Sequence, residues 1–181
     1  EKRDLHKRIL FPANVEESEL RGIGEEILGI DLSEGDGAGI KISDVDKLSS
    51  ENFEKFIAEL FRSPDKSTVY QTLVTGGPGD QGADVIGFPH GNEVRGIIIQ
   101  CKHSTNIDKH QGNSGVQEVI GAKGVYEGKY SREFDLIVAT NSSGFTRNAE
   151  EIAKGNNVRL VNREIIMNML KTQKISFANL S

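Results

Sequence analysis

A single cysteine in 181 residues excludes a disulfide framework and a multi-cysteine zinc site. No apolar run approaches the roughly 20 residues that span a bilayer, and no signal-peptide pattern opens the chain. A reducing, cytoplasmic setting without a membrane is therefore expected. The chain starts at Glu1 rather than Met, which reads as processing or as a piece of something longer. There is no internal repeat. The loop Gly76-Gly77-Pro78-Gly79-Asp80-Gln81-Gly82 is rich in glycine, but no Gly-Lys-Ser/Thr follows, so it is not a nucleotide-binding P-loop. Asp31 to Gly39 lacks the ligand spacing of a calcium loop and has no Glu at its end. Cys101 and His103 are a lone pair, and zinc needs more ligands. Neither a zinc finger nor a helix-turn-helix is evident, so no base-reading element can be named.

What is present is an ordinary globular composition, 36% hydrophobic and 27% charged, long enough for a sizeable core. The net charge of −5 is unevenly placed. Residues 1–60 carry 8 Lys and Arg against 15 Asp and Glu, and residues 61–181 carry 14 against 12. The second part is mildly basic, with Lys102, His103, Lys109, His110, Lys123, Lys129 and Arg132 near one another in sequence. A phosphate-binding surface needs local rather than global positive charge, so the balance permits a nucleic acid without arguing for one.

Two parts are expected: an acidic extension or linker over 1–48 and a folded domain over 49–181. The extension breaks its sparse apolar residues with turn-formers, and reads as short helices near 5–10 and 16–28 and a brief strand at Gly39–Ile42. Ser49 or Ser50 can then cap a helix whose Phe53, Phe56, Ile57 and Leu60 follow helical spacing. Strands are predicted over 68–74, 83–88 and 94–101, the last two joined by a turn at Pro89-His90-Gly91-Asn92. A helix follows at 115–127 with Val116, Val119, Ile120 and Val125 inward. The run Leu-Ile-Val-Ala within 134–140 reads as a strand buried on both faces. A helix at 146–154, a strand at 157–161 and a helix at 163–170 close the chain. The expected architecture is α/β: an α-β-β-β-α-β core with a mixed central sheet flanked by helices, plus a C-terminal α-β-α.

The chemistry concentrates at Asp84 and at Ile99-Gln100-Cys101-Lys102. Strand side chains alternate faces, so Gln100 and Lys102 share one face while Ile99 and Cys101 share the other. With Asp84 on the neighbouring strand, a carboxylate, an amide carbonyl and an ammonium meet at one sheet edge. A hard divalent cation takes oxygen ligands, and an ammonium beside it can hold a water, a set suited to attack on a phosphodiester. The competing readings are plain: a turn aspartate capping backbone, a strand-end glutamine, a solvated lysine and a core cysteine.

The order of these elements resembles the PD-(D/E)XK nuclease superfamily, and within it the Mrr-type restriction endonuclease domain. The matching pieces, over residues 50–172, begin with Phe53-Glu54, the Gly-Asp-x-Gly-x-Asp pattern from Gly79 to Asp84, and Gln100-Cys101-Lys102. Two more follow: the run Thr140-Asn141-Ser142-Ser143-Gly144-Phe145-Thr146, and Val158-Arg159-Leu160-Val161. Two departures are visible: Gln100 stands where the superfamily usually has Glu, and Ala83 precedes Asp84 where Pro is usual. The resemblance implies Asp84 as principal metal ligand, with the Gln100 side-chain carbonyl and the Cys101 backbone carbonyl beside it. It implies Lys102 as the group that orients and activates the attacking water. Glu54 becomes a carboxylate acting through water or on a second metal, with a surface glutamate as the competing reading. Asp80 and Gln117 are weaker candidates.

The implied enzyme is a Mg²⁺-dependent endonuclease of restriction or antiphage-defence type, with Mn²⁺ able to substitute and double-stranded DNA as substrate. A recognition or regulatory domain is expected outside this chain, and a homodimer is one way to supply two sites for two strands. Junction resolvases and repair nucleases share the same core. The rival from another class is a catalytically silent nuclease-like domain that binds nucleic acid or assembles with partners. Asp84→Ala is expected to abolish cleavage with thermal stability nearly unchanged.

Overall fold

The computed structural model describes residues 39–62, 70–75, 81–89, 95–172 and 175. The helices expected near 5–10 and 16–28, the loop residues 76–80 with Asp80, and the turn residues 90–94 lie outside the described residues.

The elements run α1 (Ile42–Val45), α2 (Ser50–Arg62), β1 (Tyr70–Val74), β2 (Val85–Pro89), β3 (Gly96–Lys102), α3 (Ser114–Tyr130), β4 (Phe134–Thr140), α4 (Arg147–Gly155), β5 (Val158–Val161) and α5 (Arg163–Thr172). From α2 onward, each begins and ends close to where pattern and caps place it. Ser49 is the residue that caps α2, its hydroxyl accepting from the Asn52 backbone N–H at 3.2 Å. Thr146 caps α4 in the same way through Ala149.

The five strands form one mixed sheet in the order β1-β2-β3-β4-β5. β1, β2 and β3 are an antiparallel meander, whereas β4 and β5 join parallel to β3 through the crossover helices α3 and α4. Crossovers that advance across a sheet in one direction keep one hand, and so lay their helices on the same face. That is what the core shows. Ile98, Ile86, Leu136 and Val138 pack with Val116, Val119, Ala149 and Ala153 of α3 and α4. Ile97, Ile99, Cys101, Val85, Ile137 and Ala139 pack on the other face with Phe53, Phe56, Ile57 and Leu60 of α2 and Ile166 of α5. The alternation along β3 divides as expected, and α helices cover both sides of the sheet.

Two expectations are corrected. Gly39–Ile42 is not a strand: Ile40 N donates to Ile175 O at 2.9 Å, and Asp44 accepts from Lys41 N at 2.9 Å, closing the helical turn α1. Ile40, Val45 and Leu48 are buried in the α2-side core. Asp46 further ties this segment to α5 through a two-pronged ion pair with Arg163, whose Nη2 lies 2.8 Å from Asp46 Oδ2. Val125 is 47% exposed; the inward positions are Ala122 and Tyr126, three and seven residues beyond Val119, which is the spacing a helical stripe requires.

Candidate metal centre

Asp84 stands immediately before β2 and beside β3, the strand at which the antiparallel meander meets the parallel half of the sheet. Its backbone N–H donates to Ile99 O at 3.0 Å, and its carbonyl accepts from Thr75 N at 2.8 Å, so the residue is stitched to strands on both sides. Its side chain is buried, at 6% exposure. Asp84 Oδ2 accepts from the Cys101 backbone N–H at 2.6 Å and from Gln100 Nε2 at 2.7 Å. The carboxylate thus replaces the ladder partner that Cys101 would otherwise find in a longer β2. Residues 97, 99 and 101 all turn their backbone groups toward β2, because the N–H and C=O of one strand residue point the same way. The Cys101 carbonyl therefore faces the Asp84 side of β3.

Gln100 is also buried, at 5% exposure. With its amide nitrogen given to Asp84, the amide orientation is fixed, since the reverse would set two oxygens against each other. Its other end is telling: Gln100 Oε1 is a buried oxygen without a hydrogen-bond partner among the described residues. A buried acceptor left unmade costs about 1–3 kcal/mol. A cation at the mouth of this pair would remove that cost, and the donors on offer are hard oxygens: the Asp84 carboxylate, Gln100 Oε1 and the Cys101 carbonyl. These residues fit a hard divalent ion. Among the described residues there is no group of three or more His, Cys, Asp or Glu side chains able to hold a metal.

Lys102 lies on the α3 face beside Gln100, as alternation requires, and is half-buried. Its ammonium donates to Glu118 Oε2 on α3 at 2.6 Å. Glu118 was not singled out in the sequence; its neighbour Gln117, which was, is exposed. One signal was available: Glu118 lies three residues beyond Gly115 and one before the buried Val119, hence on the sheet-facing edge of α3.

Glu54 approaches from the opposite, α2 face. It is partly buried and its charge reaches the Cys101 thiol. Burial pushes that thiol well above 9.0, and the negative charges of Asp84 and Glu54 push it further, while Lys102 acts the other way. Cys101 is thus held neutral in the core and is inert as a nucleophile. His103 packs its ring on Phe53 at 5.2 Å between centroids, with Nε2 3.2 Å from Val45 O, so it is a packed residue rather than a ligand. Just beyond it, Asn141 holds the strand exit by bonding both Ser104 N at 2.8 Å and Ser104 O at 2.9 Å.

The chain matches the Mrr-type restriction endonuclease family over residues 45–170. No curated protein matches it. Among solved structures, it is similar to the DNA modification-dependent restriction endonuclease AspBHI, with a TM-score of 0.53 and 17% identity over 85% of this chain and 41% of that one. It is also similar to AF1548, a protein of unknown function, with a TM-score of 0.50 and 16% identity over 71% of this chain and 73% of that one. At such identities the likeness is one of fold, and the fold is that of a restriction endonuclease.

Proposed function

The chain belongs to the Mrr-type restriction endonuclease family, and from that premise we propose that it is a divalent-metal-dependent nuclease acting on double-stranded DNA at the Asp84, Gln100 and Lys102 edge. The single observation that carries the metal reading is the unpartnered, buried Gln100 Oε1 beside the Asp84 carboxylate. Asp84, Gln100 Oε1 and the Cys101 carbonyl would hold Mg²⁺, with Mn²⁺ as a substitute, and Glu54 would act from the α2 side through water. When bound, the ion supplies Lewis-acid charge to the phosphate oxygens as negative charge builds on them.

The remaining work falls to the chain itself. Asp84 fixes Gln100 through the 2.7 Å bond, so the amide oxygen is preset before any ion arrives. With Gln in place of Glu, the Asp84 and Gln100 pair carries one negative charge rather than two, and a DNA phosphate brings the missing oxygens and charge. Lys102, on the face shared with Gln100, orients the attacking water and steadies the developing charge through its ammonium. The setting we propose is cytoplasmic and defensive, with a recognition or regulatory domain outside this chain and a homodimer to cut both strands.

A second reading has one observation in its favour: Asp84 and Gln100 already bond each other, which a non-cutting assembly or DNA-binding domain could retain for stability. Plasmid nicking separates the two. The nuclease reading expects Mg²⁺- or Mn²⁺-dependent nicks that vanish with chelator and in Lys102→Ala. DNA binding without nicking under either metal supports the silent domain instead. A preference for branched over linear duplex would move the substrate toward junctions.

A further inference from the structure

We infer that Glu118 is a positioning residue for Lys102, an inference that rests on the nuclease reading of this edge. A lysine carries four flexible carbons and a compact charge, so its tip is placed only if something holds it. Three features do so here. The first is the 2.6 Å contact between Lys102 Nζ and Glu118 Oε2. The second is Gly115, one turn earlier on α3. A Cβ there would stand 3.2 Å from both Cγ and Cε of Lys102, so the bare glycine leaves the lysine stem its channel along the helix. The third is Gly82, with φ of +86°, where a Cβ would stand 2.6 Å from the Glu118 carbonyl oxygen. The loop that leads into Asp84 therefore packs directly on the backbone of Glu118. The approach at Gly82 is one that only glycine permits, whereas at Gly115 a side chain would crowd the Lys102 stem and Val138 Cγ1 and displace them by a few tenths of an ångström.

The exposure of the pair decides what it is for. With side chains 27% and 39% exposed, Lys102 and Glu118 form a contact that water reaches, and such pairs add little to stability. A carboxylate here is also unfavourable for DNA approach, since it repels phosphate. Its net benefit lies in where it puts the ammonium.

The test compares the full 181-residue chain with Glu118→Ala, Glu118→Gln and Lys102→Ala, reading plasmid-nicking kinetics, Mn²⁺ binding by calorimetry and melting temperature. Glu118→Ala is expected to lower kcat by about tenfold to a hundredfold. KM for DNA should stay level or fall, Mn²⁺ affinity should not change, and the melting temperature should move by no more than about 3 °C. Glu118→Gln, which keeps an acceptor oxygen but not the charge, should fall between. Should the alanine variant fail to fold, the isosteric glutamine variant carries the same readings. Full kcat in both Glu118 variants, with Lys102→Ala inactive, overturns this inference alone. Weakened Mn²⁺ binding makes Glu118 a ligand and also overturns it. An active Lys102→Ala defeats the nuclease reading of the edge and this inference with it.

Discussion

Replacing Asp84 separates the fold's use of this carboxylate from the chemistry's use of it. Alanine at 84 removes the acceptor for Gln100 Nε2 and for the Cys101 backbone N–H, both in a buried setting. Each donor left without a partner costs about 1–3 kcal/mol. Some relief comes from water at the sheet end, so the sum is roughly 2–4 kcal/mol. For a chain of this length that is a fall of roughly 5–15 °C in melting temperature. The expectation of nearly unchanged stability in Asp84→Ala is therefore replaced. Asparagine keeps an oxygen where Oδ2 sits, so both bonds survive as neutral ones and the loss should be about 1–2 kcal/mol. Neither variant should nick plasmid DNA, because neither presents a carboxylate to a cation. The assay is thermal melting of parent, Asp84→Asn and Asp84→Ala, alongside nicking with Mg²⁺ and with Mn²⁺. A parent-like melting temperature for Asp84→Ala would refute the hydrogen-bond accounting. Parent-like cutting by Asp84→Asn would refute the ligand role while leaving that accounting intact.

Further outcomes test other parts of the structure. Gln100→Glu sets a second carboxylate 2.7 Å from Asp84 Oδ2, so without metal the variant should melt lower than parent. Added Mn²⁺ should raise its melting temperature more than the parent's, with cleavage retained; a smaller rise would count against Gln100 as a ligand. The raised Cys101 pKa gives a pH dependence whose sign is fixed: above 9.0 the unfolded thiol ionises while the folded one stays protonated, so stability falls as pH rises. By pH 10 this should cost on the order of 1 kcal/mol, and Cys101→Ala should lack that increment in denaturant titrations at pH 8 and pH 10. Asp46→Ala should destabilise by about 1–3 kcal/mol, because it strands the Arg163 guanidinium, whose side chain is 19% exposed. No change in its denaturation midpoint would mean that the Asp46–Arg163 pair adds nothing to the folded unit.

Much of the sheet could be read from residues because its signals are local. The unbroken apolar run at Leu136–Ala139 reads as a strand covered on both faces, and strict alternation in β3 puts Gln100 and Lys102 on one side. Long-range consequences were harder. Asp84 reads as a ligand or a turn aspartate, and nothing nearby in sequence says that its oxygen completes the ladder at Cys101, seventeen residues away. Glu118 went unnoticed because its role depends on Gly82 and Gly115, whose missing side chains matter only once α3 has packed on β3. The turn α1 was obscured by the glycines ahead of it, and its burial depends on Ile175 and Arg163 from the far end of the chain.

The account rests on a cation bound between Asp84 and Gln100, and crystals soaked in Mn²⁺ examine that directly through anomalous scattering. The predicted result is a peak about 2.0–2.4 Å from Gln100 Oε1 and an Asp84 oxygen, with the Cys101 carbonyl also within reach. An anomalous map with no peak at this edge under Mn²⁺ concentrations that support cleavage, or with the ion seated elsewhere, would contradict it.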